Sequence, residues 1–413
     1  MAVVNYPITG PIFSGPHQEP YFCLAELGPG RDGEKRIFAV GNGETLDDKS
    51  LDASCSLPTR VDYVYRSTTP DVGFLPLPNT GARPADLAIV STIEGVDAPY
   101  IVRIETGTIN RAIYQTAILH DPAGPMASAF SPPTAWNERL VYTYGGGCEA
   151  GFFQGTSTGG VLRDNLLSKG YGVASSTLNV NAQGGCNDVL SAETTMMVKE
   201  RFIEAYGEPR YTIGNGGSGG AMQQLLIAGA YPGLLDGIIP SLTFSDAVSY
   251  FMDSQECSLP LRSFVNDPAR GISEEVKAAI GGWSMWYVCD ESLGLRPDRI
   301  APHDCPGQIP MAKRYDAAKN PGGVRCSIYD GMRNIFGEKV FVDINDTRPL
   351  ARSPHDNVGV QYGLATLNEG MIDKRLFLDL NEAMGGWDID FQPHEERTVA
   401  DDDALRIVYE TGR

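Results

Sequence analysis

The chain has 413 residues and a formal net charge of −19 at pH 7. That length suits one large α/β domain with an insertion, or two domains. The charge argues against nucleic acid or an anionic membrane surface as a partner, and no run approaches the ~18 consecutive apolar residues of a spanning helix. From Met1 to Pro7 there is no charged segment leading into an apolar one, so a signal peptide is expected to be absent or already removed.

Residues 1–80 are rich in Pro, Gly and polar side chains, as around Tyr6 to Pro11 and Leu75 to Gly81, and predict an irregular arm packed on the main domain. The pattern changes near residue 98. Pro99 to Gly107 alternates well enough for a strand, and Ala112 to His120 supplies its neighbour. Arg139 to Tyr144 is a third β run, ending in the triple glycine Gly145, Gly146 and Gly147. A helix is expected around Val161 to Ser168, then a buried strand from Gly170 to Ser176. Asn187 to Tyr206 reads as a long amphipathic helix. A short β run at Arg210 to Ile213 and a helical run from Ala221 to Gly229 flank a glycine-rich turn. Leu234 to Phe244 supplies one more strand.

Strands alternating with helices predict a mostly parallel, twisted sheet with helices on both faces. In this order the elements fit the first six strands of an α/β-hydrolase sheet. Residues 246–400 break the rhythm and read as a large, mainly helical lid insertion. Residues 401–413 read as the start of a C-terminal part of the core, with 81–245 as the core proper.

Eight cysteines are scattered without any C-x-x-C pair, which argues against a zinc or redox site and for disulfides made in an oxidising compartment. Cys148–Cys186 is the expected pairing on loops at one end of the sheet, and Cys23–Cys55 would pin the arm. The expected location is therefore secreted or periplasmic.

The turn between the Arg210 run and the Ala221 helix carries G-x-S-x-G at Gly216, Ser218 and Gly220. Strand, tight turn and helix are the setting of a nucleophile elbow. Glycines are needed there because the turn is cramped and the serine is forced into an unfavourable backbone region. Acyl transfer also needs an oxyanion hole, an acid and a base. Gly219 N–H and a donor from the loop of Gly146 and Gly147 fit the hole, with Tyr144 standing where an HGGG-type loop has histidine. The hydrolase order serine, acid, histidine leaves His303, His355 and His394 of the five histidines. Each also reads as a surface residue; His394 is taken as the base. Asp246, soon after the sixth strand, is the acid candidate, with Asp236 and Asp304 behind it. Trp283 and Trp286 would line an apolar substrate pocket, or form lid core.

No convincing seventh or eighth strand follows the insertion. One expectation is that the chain stops before reaching them and that a second polypeptide supplies the missing part of the fold. Asp343 to Thr347 faintly suggests a calcium loop but lacks the Gly and Glu of an EF-hand, and it contains a glycosylation sequon at Asn345. No metal and no cofactor is expected.

Several strings are long enough to be specific. They are Gly10 to His17, Thr106 to Tyr114, Tyr144 to Cys148, Asn187 to Thr194, Gly216 to Ala221 and Asp356 to Gly363. In these the chain resembles DUF6351, a bacterial family of secreted α/β-hydrolase-like proteins distantly similar to tannase/feruloyl esterases and polyester depolymerases. The resemblance runs along nearly the whole chain. It implies an α/β-hydrolase fold, ester hydrolysis on small or polymeric substrates, and Ser218 as nucleophile; members of the family are longer at both ends. The expected activity is that of a serine hydrolase of carboxylic esters. The alternatives are a non-catalytic relative that binds rather than cleaves, and an amidase or peptidase.

Overall fold

The computed structural model describes residues 12–28, 36–47, 50–52, 54–257, 261–293, 301–341 and 348–412. The calcium-like and sequon stretch at 343–347 lies outside them. The chain divides into two compact units, one of Met1–Ser245 with Gly307–Pro310 and one of Asp246–Pro306 with Met311–Arg413.

The first unit is an α/β fold around an eight-stranded sheet. Its strands are β1 (Arg60–Arg66), β2 (Phe74–Pro76), β3 (Ile101–Ile109), β4 (Ala112–Leu119), β5 (Arg139–Thr143), β6 (Gly172–Ser176), β7 (Tyr211–Gly217) and β8 (Gly237–Ser241). The spatial order is β8-β7-β5-β6-β4-β3-β1-β2. Strands β5 to β8 pair in parallel with one another, whereas β4 meets β6 antiparallel and the β4, β3, β1, β2 half is antiparallel throughout.

The sheet is therefore mixed rather than mostly parallel. The reason is local. Only Asn110 and Arg111 join β3 to β4, both at positive φ (52° and 65°), and a two-residue connection can join only antiparallel strands. The supposed irregular arm also contributes β1 and β2 to this sheet, so the core begins well before residue 81.

The long helix α1 (Asp188–Tyr206) starts where the Asn187 side chain accepts from Leu190 N–H. Its Val198, Phe202 and Tyr206 join Tyr114, Leu140 and Tyr142 of the strands in one apolar core. A second helix, α2 (Gly219–Ala230), follows β7 directly. The buried carboxylates Glu105 and Glu193 of this unit are hydrogen-bonded. Glu105, 2% exposed, faces Arg201 at 2.7 Å and Arg103 at 3.2 Å and accepts from the Tyr114 hydroxyl. Burial pushes its carboxyl up, but the Arg201 and Arg103 charges prevail and hold it below the ordinary value. Glu193 in α1 accepts from the backbone N–H groups of Phe13 and Ser14 and from Asn110, which fixes the arm to the sheet.

The second unit is mainly helical, with α3 (Ala247–Glu256), α4 (Glu274–Gly281), α5 (Lys374–Ala383) and α6 (Asp402–Thr411). Phe264, Ile280, Trp286, Tyr362 and Leu380 form its core. Asp401 caps α6 through Asp403 and Ala404 N–H and pairs with Lys339 and Arg352. Residues 401–412 thus belong to this unit as a capped helix, not to the sheet.

All eight cysteines are paired, as Cys23–Cys55, Cys148–Cys186, Cys257–Cys289 and Cys305–Cys326. No described helix is long and apolar enough to cross a membrane.

Candidate active site

Strand β7 runs straight into Ser218, and α2 begins at the next residue. Ser218 has φ 58° and ψ −123°, a conformation that costs a serine about 1–3 kcal/mol and persists only where neighbours enforce it. The neighbours are clear. Ser218 N–H donates to the Ser241 carbonyl of β8 at 2.9 Å, and the Ser218 carbonyl accepts from Ala221 and Met222 N–H in the first turn of α2. A Cβ on Gly216 would lie 2.5 Å from the Tyr144 carbonyl oxygen, and one on Gly220 would lie 2.7 Å from the same atom. Both outer glycines of the motif thus exist because the end of β5 passes against the turn. The hydroxyl-bearing residue is half-buried at the N-terminus of a twelve-residue helix, where the helix dipole favours negative charge.

The loop after β5 passes beside it. A Cβ on Gly146 would stand 3.4 Å from Ser218 Cβ and 3.9 Å from Gly219 N. Gly146 engages the chain through its carbonyl, which accepts from Ala182 N–H at 2.9 Å; its own N–H makes none of these bonds. As the first residue of α2, Gly219 has no intrahelical acceptor for its N–H either. Gly147 plays a different part: at φ 89° it carries the chain past Ala182, which its Cβ would strike at 2.4 Å, and its carbonyl faces Gly219. Cys148, next in line, is tied to Cys186. Two backbone N–H groups, those of Gly146 and Gly219, therefore lie close to one serine, an arrangement able to stabilise an oxyanion.

Beneath the loop lies a buried polar network that the motif reading missed. Tyr142 donates to Asn179 Oδ1 at 2.6 Å, and the Tyr144 hydroxyl lies 3.2 Å from Thr195 Oγ1. Burial pushes both phenols up, so they stay neutral. Asn181 donates to the Gly219 carbonyl at 3.2 Å. Gln224 donates to the Gly216 and Gly220 carbonyls and accepts from Ile239 N–H of β8. The visible signal was two consecutive glutamines, Gln223 and Gln224, inside an otherwise apolar helix.

The acid candidates are engaged otherwise. Asp236 sits at the opposite end of β8 from Ser241 and accepts from Thr212 N–H at 2.8 Å. Asp246 accepts from Ser249 N–H at 2.6 Å, at the start of α3. Asp304 lies 3.8 Å from the half-exposed His303. His394 is in a two-residue ladder with Gly386, and its only carboxylate neighbour among the described residues is Glu396 at 3.9 Å.

His355 differs from the other two. It is 1% exposed, packs on Trp387 at 4.4 Å between ring centroids, and places Nε2 3.4 Å from Glu256 Oε1. Glu256, at the end of α3, also accepts from the Tyr362 hydroxyl; no motif around it singles it out. In the first unit, His17 contacts Asn110 and His120 contacts Tyr63 and the Pro125 carbonyl. Trp286 is core, 3% exposed with its indole N–H on Asn266, and the partly buried Trp283 packs against the same cluster.

Comparison with known proteins places the chain in a family. The model of DUF6351, a tannase-like family of unknown function, matches residues 1–413, and the chain belongs to that family. No curated protein matches it. Among solved structures, an esterase from Aspergillus oryzae is 14% identical over 85% of this chain and 66% of its own, with a TM-score of 0.29. The peroxisomal α/β-hydrolase Lpx1 of Saccharomyces cerevisiae is 14% identical over 48% of this chain and 52% of its own, with a TM-score of 0.22. Esterase E22 is 13% identical over 78% and 76%, with a TM-score of 0.22. The chain thus spans just under two thirds of the Aspergillus esterase and about half of Lpx1.

Proposed function

We propose that this chain carries the nucleophile and oxyanion hole of a serine hydrolase that cleaves carboxylic esters. The observation that carries the reading is Ser218 itself, held at φ 58° between β7 and the N-terminus of α2 with Gly146 beside it. The strand order supports an α/β-hydrolase sheet: read as its first six strands, β3, β4, β6, β5, β7 and β8 lie side by side, and the serine follows the fifth. Membership of a tannase-like family and the esterases among similar structures agree with ester chemistry.

In this reading Ser218 Oγ attacks the acyl carbon and passes its proton to a general base. The tetrahedral oxyanion is held by the Gly219 and Gly146 N–H groups, each worth roughly 3 kcal/mol at the transition state. The alcohol leaves with the proton, and water then releases the acid from Ser218. Within the second unit, Glu256 and His355 are the one pair after Ser218 among the described residues in which a buried imidazole faces a carboxylate. Four disulfides support an oxidising, extracytoplasmic location. The charge of −19 argues against nucleic acid or an anionic membrane as partner and leaves a small or polymeric ester.

The test is turnover of p-nitrophenyl acetate beside the matched anilide. Ser218→Ala is expected to lower ester turnover by at least ~10³-fold. His303→Ala, His355→Ala and His394→Ala, assayed the same way, identify the base as the variant that loses turnover to a similar extent. Faster cleavage of the anilide would favour an amidase. Absence of turnover in the folded wild type would favour a non-catalytic binding protein.

A further inference from the structure

Gln223 lies one turn into α2 and is 2% exposed. A glutamine side chain buried in an apolar helix must find partners for its oxygen and both N–H groups or lose stability. Gln223 finds them in three different elements. Its Oε1 accepts from Ser191 Oγ of α1 at 2.6 Å and from Asn179 Nδ2 at 3.4 Å. Its Nε2 donates to the carbonyls of Gly145 and Asn179, each at 3.2 Å, and lies 3.4 Å from that of Gly219.

Asn179 completes the arrangement. Its carbonyl accepts Gly145 N–H at 2.8 Å as well as Gln223 Nε2, and its amide donates to Ser191 and Thr195 of α1. Gly145 is thus bound at both its N–H and its carbonyl. One of these bonds comes from the helix that begins at Gly219, and the next residue in the loop is Gly146. The two N–H groups beside Ser218 belong to separate segments, and the Gln223 side chain bonds to both segments.

We infer that Gln223 is a positioning residue: it sets the distance between the Gly145–Gly147 loop and the Ser218–Gly219 turn, and so preorganises the two oxyanion donors. The inference rests on the reading of Ser218 and these N–H groups as the reacting centre. Donors held in place need not reorganise as charge develops, whereas a loop free to shift by about 1 Å loses on the order of 10²-fold in rate. Such an effect falls on kcat rather than KM, because the oxyanion exists only beyond the ground state.

The test uses Gln223→Met, which keeps length and shape without hydrogen bonds, and Gln223→Glu, which sets an acceptor against the Gly145 and Asn179 carbonyls. Val198→Ala, in the buried face of α1, serves as a control for general destabilisation. Turnover is normalised to the sites that a fluorophosphonate labels, which removes any unfolded fraction. Both Gln223 variants are expected to lose about 10–100-fold in kcat per site with KM within about threefold, while Val198→Ala keeps its kcat per site. Independently of turnover, amide exchange at residues 145–148 is expected to rise by about tenfold or more in the Gln223 variants and not in the control. An unchanged kcat per site, or unchanged exchange in that loop, overturns the inference. Should the wild type neither label nor turn over, the Ser218 reading fails and the exchange result alone decides the role of Gln223.

Discussion

Gly219→Ala sets two effects of known size against each other. Gly219 is the first residue of α2, and alanine in a helix is favoured over glycine by about 1 kcal/mol. On helix propensity alone the variant would be more stable than wild type. Yet a Cβ there would lie 1.9 Å from the Gly147 carbonyl oxygen, about 1.1 Å inside the 3.0 Å that real Cβ contacts respect. That oxygen belongs to backbone and cannot swing aside as a side chain would. The loop that carries it is held by the Cys148–Cys186 bridge and by the bonds on Gly145. Relief requires the loop or the turn to move by about 1 Å, at an overpacking cost of about 1–3 kcal/mol. Net stability should fall by about 0–2 kcal/mol, a few degrees at most in Tm. The rate should fall far more, by on the order of 10²-fold, because the same movement parts the Gly146 and Gly219 N–H groups. Thermal melting and p-nitrophenyl acetate turnover per fluorophosphonate-labelled site read the two effects separately. A variant with raised Tm and turnover within about threefold of wild type would refute the proposed closeness of loop and turn.

Three further outcomes are expected. Ser218→Gly should be more stable than Ser218→Ala by about 1 kcal/mol, seen as a higher Tm, because only glycine accepts φ 58° without strain, and both should be inactive. Removing the Cys148–Cys186 bridge, whose cysteines are 38 residues apart, should cost up to about 4 kcal/mol by chain entropy and slow Ser218 labelling, measured with Cys148→Ser/Cys186→Ser protein; an unchanged labelling rate would separate the bridge from the site. Glu105→Gln should destabilise by about 3 kcal/mol at pH 7, because it leaves Arg201 and Arg103 beside a neutral buried partner. Since the folded pKa of Glu105 is lowered, its contribution is present in full above the unfolded value of about 4.3 and is lost as pH falls through the folded value. The gap between wild type and variant in melts from pH 7 to 3 should therefore close at the acid end.

Much of this layout is legible in the residues, for physical reasons. Strands β3 to β8 announce themselves because apolar β runs bounded by glycine, and helix-length runs between them, leave few alternatives. Ser218 stands out because a cramped turn excludes side chains at Gly216 and Gly220, so the geometry writes itself into composition. Strands β1 and β2 are hidden. The run from Arg60 to Arg66 sits between Pro58 and Pro70 and is only partly buried, so turn signals outweigh its alternation. The β3–β4 hairpin is concealed for another reason: Asn110 and Arg111 take positive φ without the glycine that usually marks such a turn. The pairing of Glu256 with His355 is the least legible. A histidine and a carboxylate become a pair only through distance, and nothing in the strings around Glu256 and His355 states that they face each other at 3.4 Å. Nor does any pattern announce that Asp246 accepts from Ser249 N–H at the start of α3.

The most direct measurement is covalent labelling of the folded chain with a fluorophosphonate, followed by intact-mass analysis and peptide mapping. Attack by an activated serine displaces fluoride and leaves one phosphonyl group on Oγ. A single adduct is expected, mapped to the peptide that contains Ser218, formed by native but not by urea-unfolded protein, and absent in Ser218→Ala. No adduct on folded wild-type protein, or an adduct on another residue that persists in Ser218→Ala, would contradict it.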